Sequence, residues 1–293
     1  MRTRRDPALA LATPAMSIIL VFMLIPMGIA FVYSLLSASP YGGVTSPLTP
    51  AAYIRFFYDR DLDDVLVFDP TYLNIFWRSI WLAIVSTILC LVAGFPVAWY
   101  IATRGARLRR VLMLLVTVPF WTNLLIRLYC WVLLLRDNGL VNNALQHAGL
   151  TQAPITFLYS DGAILLGLVY SNLPFMILPI QGVLERVDPR LIEAAYDLYA
   201  SRTTIMRRLV WPLARPGVLA GITLVFVPML GSFLAPDILG GGRRLMIGSL
   251  IQQQFTTGRN WPFGSALSMI LLAVVLIVMM AGAWRRAARA IPT

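Results

Sequence analysis

Residues 188–217 read DPRLIEAAYDLYASRTTIMRRLVWPLARPG and form a polar, charged segment between two long apolar runs. The Asp188 side chain can accept hydrogen bonds from the first free N–H groups of a helix, and Pro189 suits the first helical position. The spacing therefore predicts a short helix from Pro189 to about Ala200. Ser201 is a second N-cap residue, so we expect another helix to begin there and to lead into the next apolar run.

The predicted short helix has an unusual charge pattern. Glu193 and Asp197 form an i,i+4 pair of like charges, which destabilises an isolated helix slightly. They also place negative charge at a membrane surface that is already anionic on its cytoplasmic side. Two interpretations remain open, namely a surface that meets a basic partner and an ordinary solvated face. On a helical wheel these acids share a face with Tyr196 and Ala200, opposite Leu191, Ala195 and Leu198.

Outward from this segment, the sequence is dominated by six apolar runs. A bilayer-spanning helix needs about 20 apolar residues, and lipid offers no water to unpaired backbone groups. Each run is therefore predicted to be helical, with kinks at its prolines. The expected fold is all-α, a polytopic membrane protein with six transmembrane helices. The runs cover residues 8–36, 73–102, 111–135, 163–184, 209–239 and 264–284.

The composition excludes several classes of protein. Apolar and aromatic residues make up 59% of the 293 residues, and charged residues only 13%, against about 25% in soluble domains. The net charge of +11 does not indicate nucleic-acid binding, because the arginines cluster at the ends of the apolar runs. We find no catalytic set and no metal-ligand spacing, so we expect neither an enzyme nor a metal site.

The arginines predict the topology. Fifteen of the 24 fall on the side of the N-terminus, at residues 2–5, 104–110, 186–208 and 285–289, against six in the opposite loops. Cytoplasmic loops carry the excess of positive charge, so both termini and loop 186–212 are predicted to be cytoplasmic. The opposite loop before residue 73 is acidic, which suits either a docking surface or a plain solvated loop. Its acids are Asp59, Asp61, Asp63, Asp64 and Asp69.

Few polar residues lie inside the runs. A charge such as Arg127 near the middle of a span costs about 2.5–3.5 kcal/mol on insertion scales. One interpretation is that Arg127 contacts the pathway or a partner subunit. The other is that it forms a structural ion pair or extends its side chain to the outer surface. Asn123, Tyr129 and Trp131 lie near it, although the two aromatic residues also suit an interfacial belt.

Ser232 and Asp237 are candidates for the outer mouth of a pathway. They lie at the end of the fifth run, in the sequence GSFLAPDILGGG. A carboxylate is a natural partner for an ammonium group. Asp237 is also suited to capping or ending the helix next to Pro236, and the residues alone leave both interpretations open.

The loop at 186–212 resembles the EAA loop of ABC importer permeases, whose pattern is E-A-A-x3-G-x9-I-x-L-P. Glu193, Ala194 and Ala195 match this pattern, and Pro212 falls at the expected distance. Leu209 and Trp211 replace the Ile and Leu of the family, and Tyr199 stands in place of its glycine. Further stretches resemble the spermidine/putrescine importer permeases, among them residues 73–83, 118–145, 168–180, 236–241 and 260–269.

The resemblance implies a type I, MetI-like permease fold in a bacterial inner membrane. Residues 1–72 would form a first span with a long outer loop, and residues 73–288 a five-helix permease core. The implied partners are a second homologous permease, two cytoplasmic ATPase subunits that hold ATP and Mg²⁺, and an extracytoplasmic binding protein. No cofactor is expected on this chain. The implied ATPase-coupling residues are Glu193, Ala194, Ala195, Asp197, Tyr199, Ala200 and Pro212.

The resemblance leaves the substrate open. Putrescine-type members often carry acids at the positions of Ser232 and Asn260, and both acids are missing here. We expect a polyamine or similar amine. The rival is a permease of the same architecture for an amino acid derivative, an opine or an anion. A self-contained secondary transporter fits less well, because such proteins often show inverted repeats and buried charges.

Overall fold

Helices make up most of the structure, a computed structural model that describes residues 7–60 and 65–289, with side chains for residues 13–59 and 65–282. Short strands lie between the first helices. The helices are α1 (Pro7–Ser34), α2 (Ala51–Ile54), α3 (Thr71–Ala102), α4 (Ala106–Thr117), α5 (Leu124–Leu135), α6 (Leu140–His147), α7 (Asp161–Leu184), α8 (Pro189–Asp197), α9 (Arg202–Ile205), α10 (Trp211–Leu230), α11 (Leu234–Gly240), α12 (Ile247–Phe255) and α13 (Trp261–Arg289).

The predicted polytopic helical fold is confirmed. Five helices are long and apolar enough to cross a membrane, and a bent pair, Ala106–Trp121 with Leu124–His147, makes a sixth crossing if it counts as one span. The apolar side chains along α1, from Met16 to Val32, are largely exposed. Exposed apolar surface of this extent suits contact with lipid rather than with water.

The third predicted span, residues 111–135, is interrupted at Pro119, where a proline kink was predicted, and the interruption is a full break between two helices. After α4 the chain forms a 3₁₀ turn, Val118–Trp121, and the helices on either side of the break meet at 90°. Pro119 has no N–H to continue the α-helical bonding. Asn123 then starts α5 as a new helix, because its side chain accepts a hydrogen bond from the Leu125 N–H at 2.8 Å.

The fifth predicted span is also shorter than expected. It ends at Leu230 rather than Leu239, and three residues separate it from α11. The backbone of Gly248 approaches this break so closely that a Cβ on Gly248 would lie 2.5 Å from the Gly231 carbonyl oxygen. The break therefore makes room for a neighbouring segment, a long-range contact that hydropathy does not report.

Two antiparallel strand pairs lie in the loop between α1 and α3, where no strand was predicted. Strand β1 (Leu36–Ala38) pairs with β2 (Val44–Leu48), and β3 (Tyr58–Arg60) pairs with β4 (Leu66–Phe68). Of the acids predicted for this loop, Asp59 and Asp69 are described, whereas Asp61, Asp63 and Asp64 lie outside the described residues.

The chain divides into two compact units. One contains the described residues up to 74 and from 250 onward, and the other contains residues 75–249. In the first unit, α1 packs along α13, and the rings of Tyr33 and Trp261 lie 6.2 Å apart. Phe263 is buried there, with the Arg55 guanidinium 5.2 Å from its ring centroid.

The core of the second unit is the packing of α7 against α10 and α3. Met176 of α7 is fully buried and lies between two glycines. A Cβ on Gly221 of α10 would come within 2.8 Å of the Met176 sulfur, and one on Gly94 of α3 within 3.2 Å of Met176 Cγ. Small residues let helices approach closely, which is how helix pairs in membranes gain packing contacts.

Asp69 stabilises the beginning of α3. Its Oδ1 accepts hydrogen bonds from the Thr71 hydroxyl at 2.6 Å and from the Thr71 N–H at 2.9 Å. Both bonds lower the pKa of Asp69 below its ordinary value of 3.8, and the bond from the Thr71 hydroxyl has the larger effect. Desolvation acts in the opposite direction. Because the folded-state pKa is depressed, the stabilisation is present above the ordinary pKa and is lost as the pH falls through the folded value.

We therefore expect the first turn of α3 to loosen in acid. Protection of its amides against hydrogen exchange, corrected for intrinsic rates, should fall as the pH is lowered below the ordinary pKa of 3.8. In Asp69→Asn, which has no carboxylate to titrate, protection of these amides should not change with pH over this range. An equal loss of protection in both proteins would contradict this role of Asp69.

Candidate functional site

The short helix α8 presents the predicted coupling residues on an open surface. Asp188 accepts a hydrogen bond from the Arg190 N–H at 2.9 Å, and Pro189 is the first helical residue, so the predicted helix start is confirmed. The predicted cap by Ser201 is confirmed as well, because its side chain accepts from the Thr204 N–H at 3.3 Å. Exposed residues of this segment are Glu193, Ala194, Tyr196, Asp197, Leu198 and Tyr199, and half-buried ones are Ala195 and Ala200.

Helix α8 ends at Asp197, earlier than the predicted Ala200, because the chain turns left-handed at Tyr199. The φ of Tyr199 is +56°, and its side chain is 98% exposed. The Ala200 N–H donates to the Ala195 carbonyl at 3.1 Å, and the Tyr199 N–H to the Tyr196 carbonyl at 2.8 Å. This pair of bonds is a Schellman motif, in which the left-handed residue is usually glycine. The position where the EAA pattern has glycine is thus a helix terminus that favours glycine.

Replacing Tyr199 with glycine should stabilise the end of α8. A left-handed conformation costs a residue with a side chain about 1–2 kcal/mol, and glycine avoids this cost. Glycine also loses more chain entropy on folding, which offsets about 0.5–1 kcal/mol of the gain in stability. We expect a net gain of about 0.5–1 kcal/mol, and so a two- to five-fold slower amide exchange in residues 195–201. Tyr196→Gly, inside the same helix, is the matched control and should speed exchange. Faster exchange in Tyr199→Gly would contradict this explanation.

A group of polar residues that the sequence analysis missed lines the same cavity as α8. Glu185, just after α7, accepts from Arg109 of α4 at 3.1 Å and from Gln181 at 2.7 Å. A cavity of about 430 Å³ lies beside this group and is also lined by Ile192 and Glu193 of α8. The sequence offered no signal for this pairing, because Arg109 and Glu185 lie on separate helices.

Pro212 lies in the first turn of α10, outside α8 and the turn that follows it. The helix is continuous from α9 to α10 except that residues Met206–Val210 form a π turn. The Trp211 N–H accordingly donates to the Met206 carbonyl, five residues back. A π turn accommodates one extra residue in a helix. Here it precedes Pro212, which has no N–H to donate the regular helical hydrogen bond.

A second cavity, of about 380 Å³, lies between α5, α7 and the break after α10. Of the predicted pathway residues, Arg127 and Ser232 line it. The other polar residues that line it are Ser171 and Asn172 of α7. The Asn172 Nδ2 donates to the Leu168 carbonyl at 2.8 Å, which fixes its amide group.

The remaining predicted pathway residues are not brought to this cavity. Asn123 caps α5, Tyr129 is exposed, and Trp131 packs edge-on against Tyr170 with ring centroids 5.5 Å apart. Asp237 is exposed on the short helix α11. It therefore neither lines this cavity nor ends α10, since α10 stops at Leu230.

An ion cluster was missed by the sequence analysis. Asp161, at the start of α7, pairs with Arg78 of α3 and, at 3.1 Å, with Arg244 of the loop after α11. Arg78 also donates to the Leu245 carbonyl at 3.3 Å, and the neighbouring Ser79 hydroxyl accepts from the Ile247 N–H at 2.7 Å. These contacts attach the loop between α11 and α12 to α3 and α7.

Comparisons with known proteins place this architecture in a family. The family described as binding-protein-dependent transport system inner membrane component matches residues 94–290. The spermidine/putrescine transport system permease protein PotB of Escherichia coli (strain K12) is 38% identical over 235 residues, which are 80% of this chain and 85% of that protein.

Solved structures share the fold. A chain of the bacterial alginate ABC transporter in complex with alginate pentasaccharide-bound periplasmic protein has a TM-score of 0.71, covers 99% of this chain and 98% of its own, and is 17% identical. A chain of the inward-facing MetNI methionine ABC transporter has a TM-score of 0.53, covers 74% of this chain and 94% of its own, and is 21% identical.

These identities are low enough that the structures show the fold alone, which is the type I, MetI-like fold of ABC importer permeases. The family match spans most of the helical core, and the curated relative matches along four-fifths of the chain. The chain therefore belongs to the binding-protein-dependent transport system inner membrane components, as a multi-pass permease subunit of an ABC importer.

Proposed function

We propose that this permease subunit carries a polyamine such as spermidine or putrescine across a bacterial inner membrane. The observation that carries the proposal is the 38% identity to PotB along 80% of the chain. The solute would be delivered by an extracytoplasmic binding protein. Transport would be driven by two ATPase subunits that hold ATP and Mg²⁺, while a second homologous permease completes the pathway. This chain itself would hydrolyse nothing.

The proposed ATPase contact is the exposed surface of α8. Glu193 and Ala194 are exposed at its centre, and Ala195 is half-buried. Small alanines allow a helix to enter a groove closely, and the acids Glu193 and Asp197 suit a basic surface. Closure of the ATPases around ATP would then favour one state of the permease through its contacts with α8.

The proposed orientation places α8 and both termini in the cytoplasm. It rests on the bias of the arginines toward loops 104–110 and 186–208 and toward the ends of the chain. Arg2, Arg4 and Arg5 lie outside the described residues, as do the side chains of Arg285, Arg286 and Arg289. The opposite loop, with its two strand pairs, would face the binding protein.

Purification in mild detergent from the membranes of the native host tests the assembly. We expect mass spectrometry to find an ATPase with a Gly-Lys-Ser/Thr phosphate loop and a second permease. The purified complex in vesicles should then take up labelled spermidine or putrescine with internal ATP and the binding protein, but not with internal ADP.

Other outcomes would correct different parts of the proposal. ATP-dependent uptake of an opine, an amino acid derivative or an anion, with none of a polyamine, would overturn the substrate and leave the importer intact. Uptake by this chain alone, without an ATPase, would overturn the coupled mechanism and indicate a secondary transporter.

A further inference from the structure

Arg127 lies in the first turn of α5, directly after the break in the third span. Two aromatic rings hold its guanidinium, whose central carbon is 4.6 Å from the ring centroid of Phe120 and 5.9 Å from that of Tyr170. The side chain lines the 380 Å³ cavity together with Ser171 and Ser232. Its position is therefore fixed, and its charge faces a cavity that is open on one side.

The guanidinium is incompletely satisfied. Its Nε and Nη1 atoms are buried, and neither finds a hydrogen-bond partner in the part of the chain that the structure describes. The Ser171 hydroxyl, which lines the same cavity, is buried and unpartnered as well. Among the described residues that line the cavity, none is acidic. A buried charge without a counter-ion is destabilising, and stacking on aromatic rings compensates it only partly.

The chemistry that completes such a site is an anionic group with two acceptor oxygens. A guanidinium presents a planar fork of donors that matches a carboxylate, and the two form short, charge-assisted hydrogen bonds. The cavity, at about 380 Å³, has room for a side-chain carboxylate beside the ring pair.

We infer that Arg127 binds a carboxylate in the assembled importer, and that the second permease subunit supplies it. The inference rests on the proposed function, because a polyamine carries only ammonium groups, which Arg127 repels. A solute with its own carboxylate is the other source of the same chemistry. The ion pair would join the two permeases beside the pathway and neutralise a charge that would otherwise oppose a cationic solute.

The test compares Arg127→Met with the wild-type importer. Methionine keeps an unbranched chain of similar length and removes the charge, so the chain alone should unfold at the same temperature or a higher one. In the full complex we expect polyamine uptake to fall at least ten-fold, and the second permease to dissociate at lower salt. Arg127→Lys should recover part of the uptake, and Arg243→Ala, at an exposed loop arginine, should transport normally.

A charge exchange distinguishes a specific pair from a general structural role. Arg127→Glu should abolish uptake, and selection for growth on a polyamine should recover variants of the second permease in which an acid has become Arg or Lys. Rescue of this kind would support the inference.

Two results would overturn the inference. If the wild-type importer takes up a polyamine and Arg127→Met takes it up at the same rate, the charge of Arg127 has no role in transport. The proposed function would then remain intact. If the wild-type importer takes up only a carboxylate-bearing solute and Arg127→Met abolishes that uptake, the solute supplies the carboxylate. In that case both the partner as its source and the polyamine as substrate are wrong.

Discussion

Replacing Gly217 with valine is expected to prevent the folded permease from accumulating. Gly217 is on α10, where it meets α7 without a side chain between the two backbones. A Cβ at this position would lie 2.7 Å from the Pro179 carbonyl oxygen and 3.0 Å from the Ile180 Cα. Both contacts are with backbone, so a side chain can be accommodated only if the two helices separate.

Separation of α7 and α10 would be costly because the core of this unit depends on their contact. Met176 and Val225 are fully buried in it. Overpacking typically costs about 1–3 kcal/mol, and a branched side chain against rigid backbone belongs at or above the upper end. A loss of about 3 kcal/mol is a large part of the total stability of a typical domain.

Detergent-solubilised protein, followed by fluorescence size-exclusion and thermal unfolding, measures this effect. The matched control is Gly28→Val in α1, where an added Cβ meets nothing within 4 Å. The control should accumulate like the wild type, whereas Gly217→Val should be lost or aggregated. Normal accumulation and an unchanged unfolding temperature in Gly217→Val would contradict the close approach of the two helices.

The second large effect is expected from Glu193→Arg, which should abolish transport without unfolding the chain. Glu193 is exposed on α8, and exposed substitutions usually change stability by less than about 0.5 kcal/mol. If α8 docks on an ATPase as proposed, reversing this charge opposes the partner directly, since like charges placed face to face cost several kcal/mol. We expect uptake to fall at least a hundred-fold, in line with a loss of about 3 kcal/mol of binding.

Reconstituted vesicles and co-purification measure the two parts of this prediction. In Glu193→Arg the ATPase subunits should no longer co-purify, while the second permease still does. Asp137→Arg is the matched control, because Asp137 is an exposed acid in the turn after α5, well away from α8 in the sequence. Wild-type uptake by Glu193→Arg would favour the alternative interpretation of α8 as an ordinary solvated helix.

The predicted pathway residues differ in where the structure places them. Arg127 was singled out because a charge within an apolar run is costly, and the structure brings it to a cavity together with Ser232. Tyr129 and Asp237 were chosen for their chemistry and position in the sequence, but both are exposed and line no part of that cavity. Residue type identified the candidates, and the packing of α5 against α7 decided which of them line this cavity; the role of each in transport stays a prediction.

Features that depend on neighbouring residues were determined by the sequence alone. Apolar length located the spans, though not the break in the third or the end of the fifth. The caps Asp188 and Ser201 started their helices as predicted, because a cap bonds N–H groups only two or three residues away. Contacts between distant residues were decided only by the tertiary structure. They include the pairing of Asp161 with Arg78 and the close approach of Gly248 to the break after α10. An ion pair of this kind depends on which elements pack together, and residues 83 positions apart, as Arg78 and Asp161 are, carry no local signal of their contact.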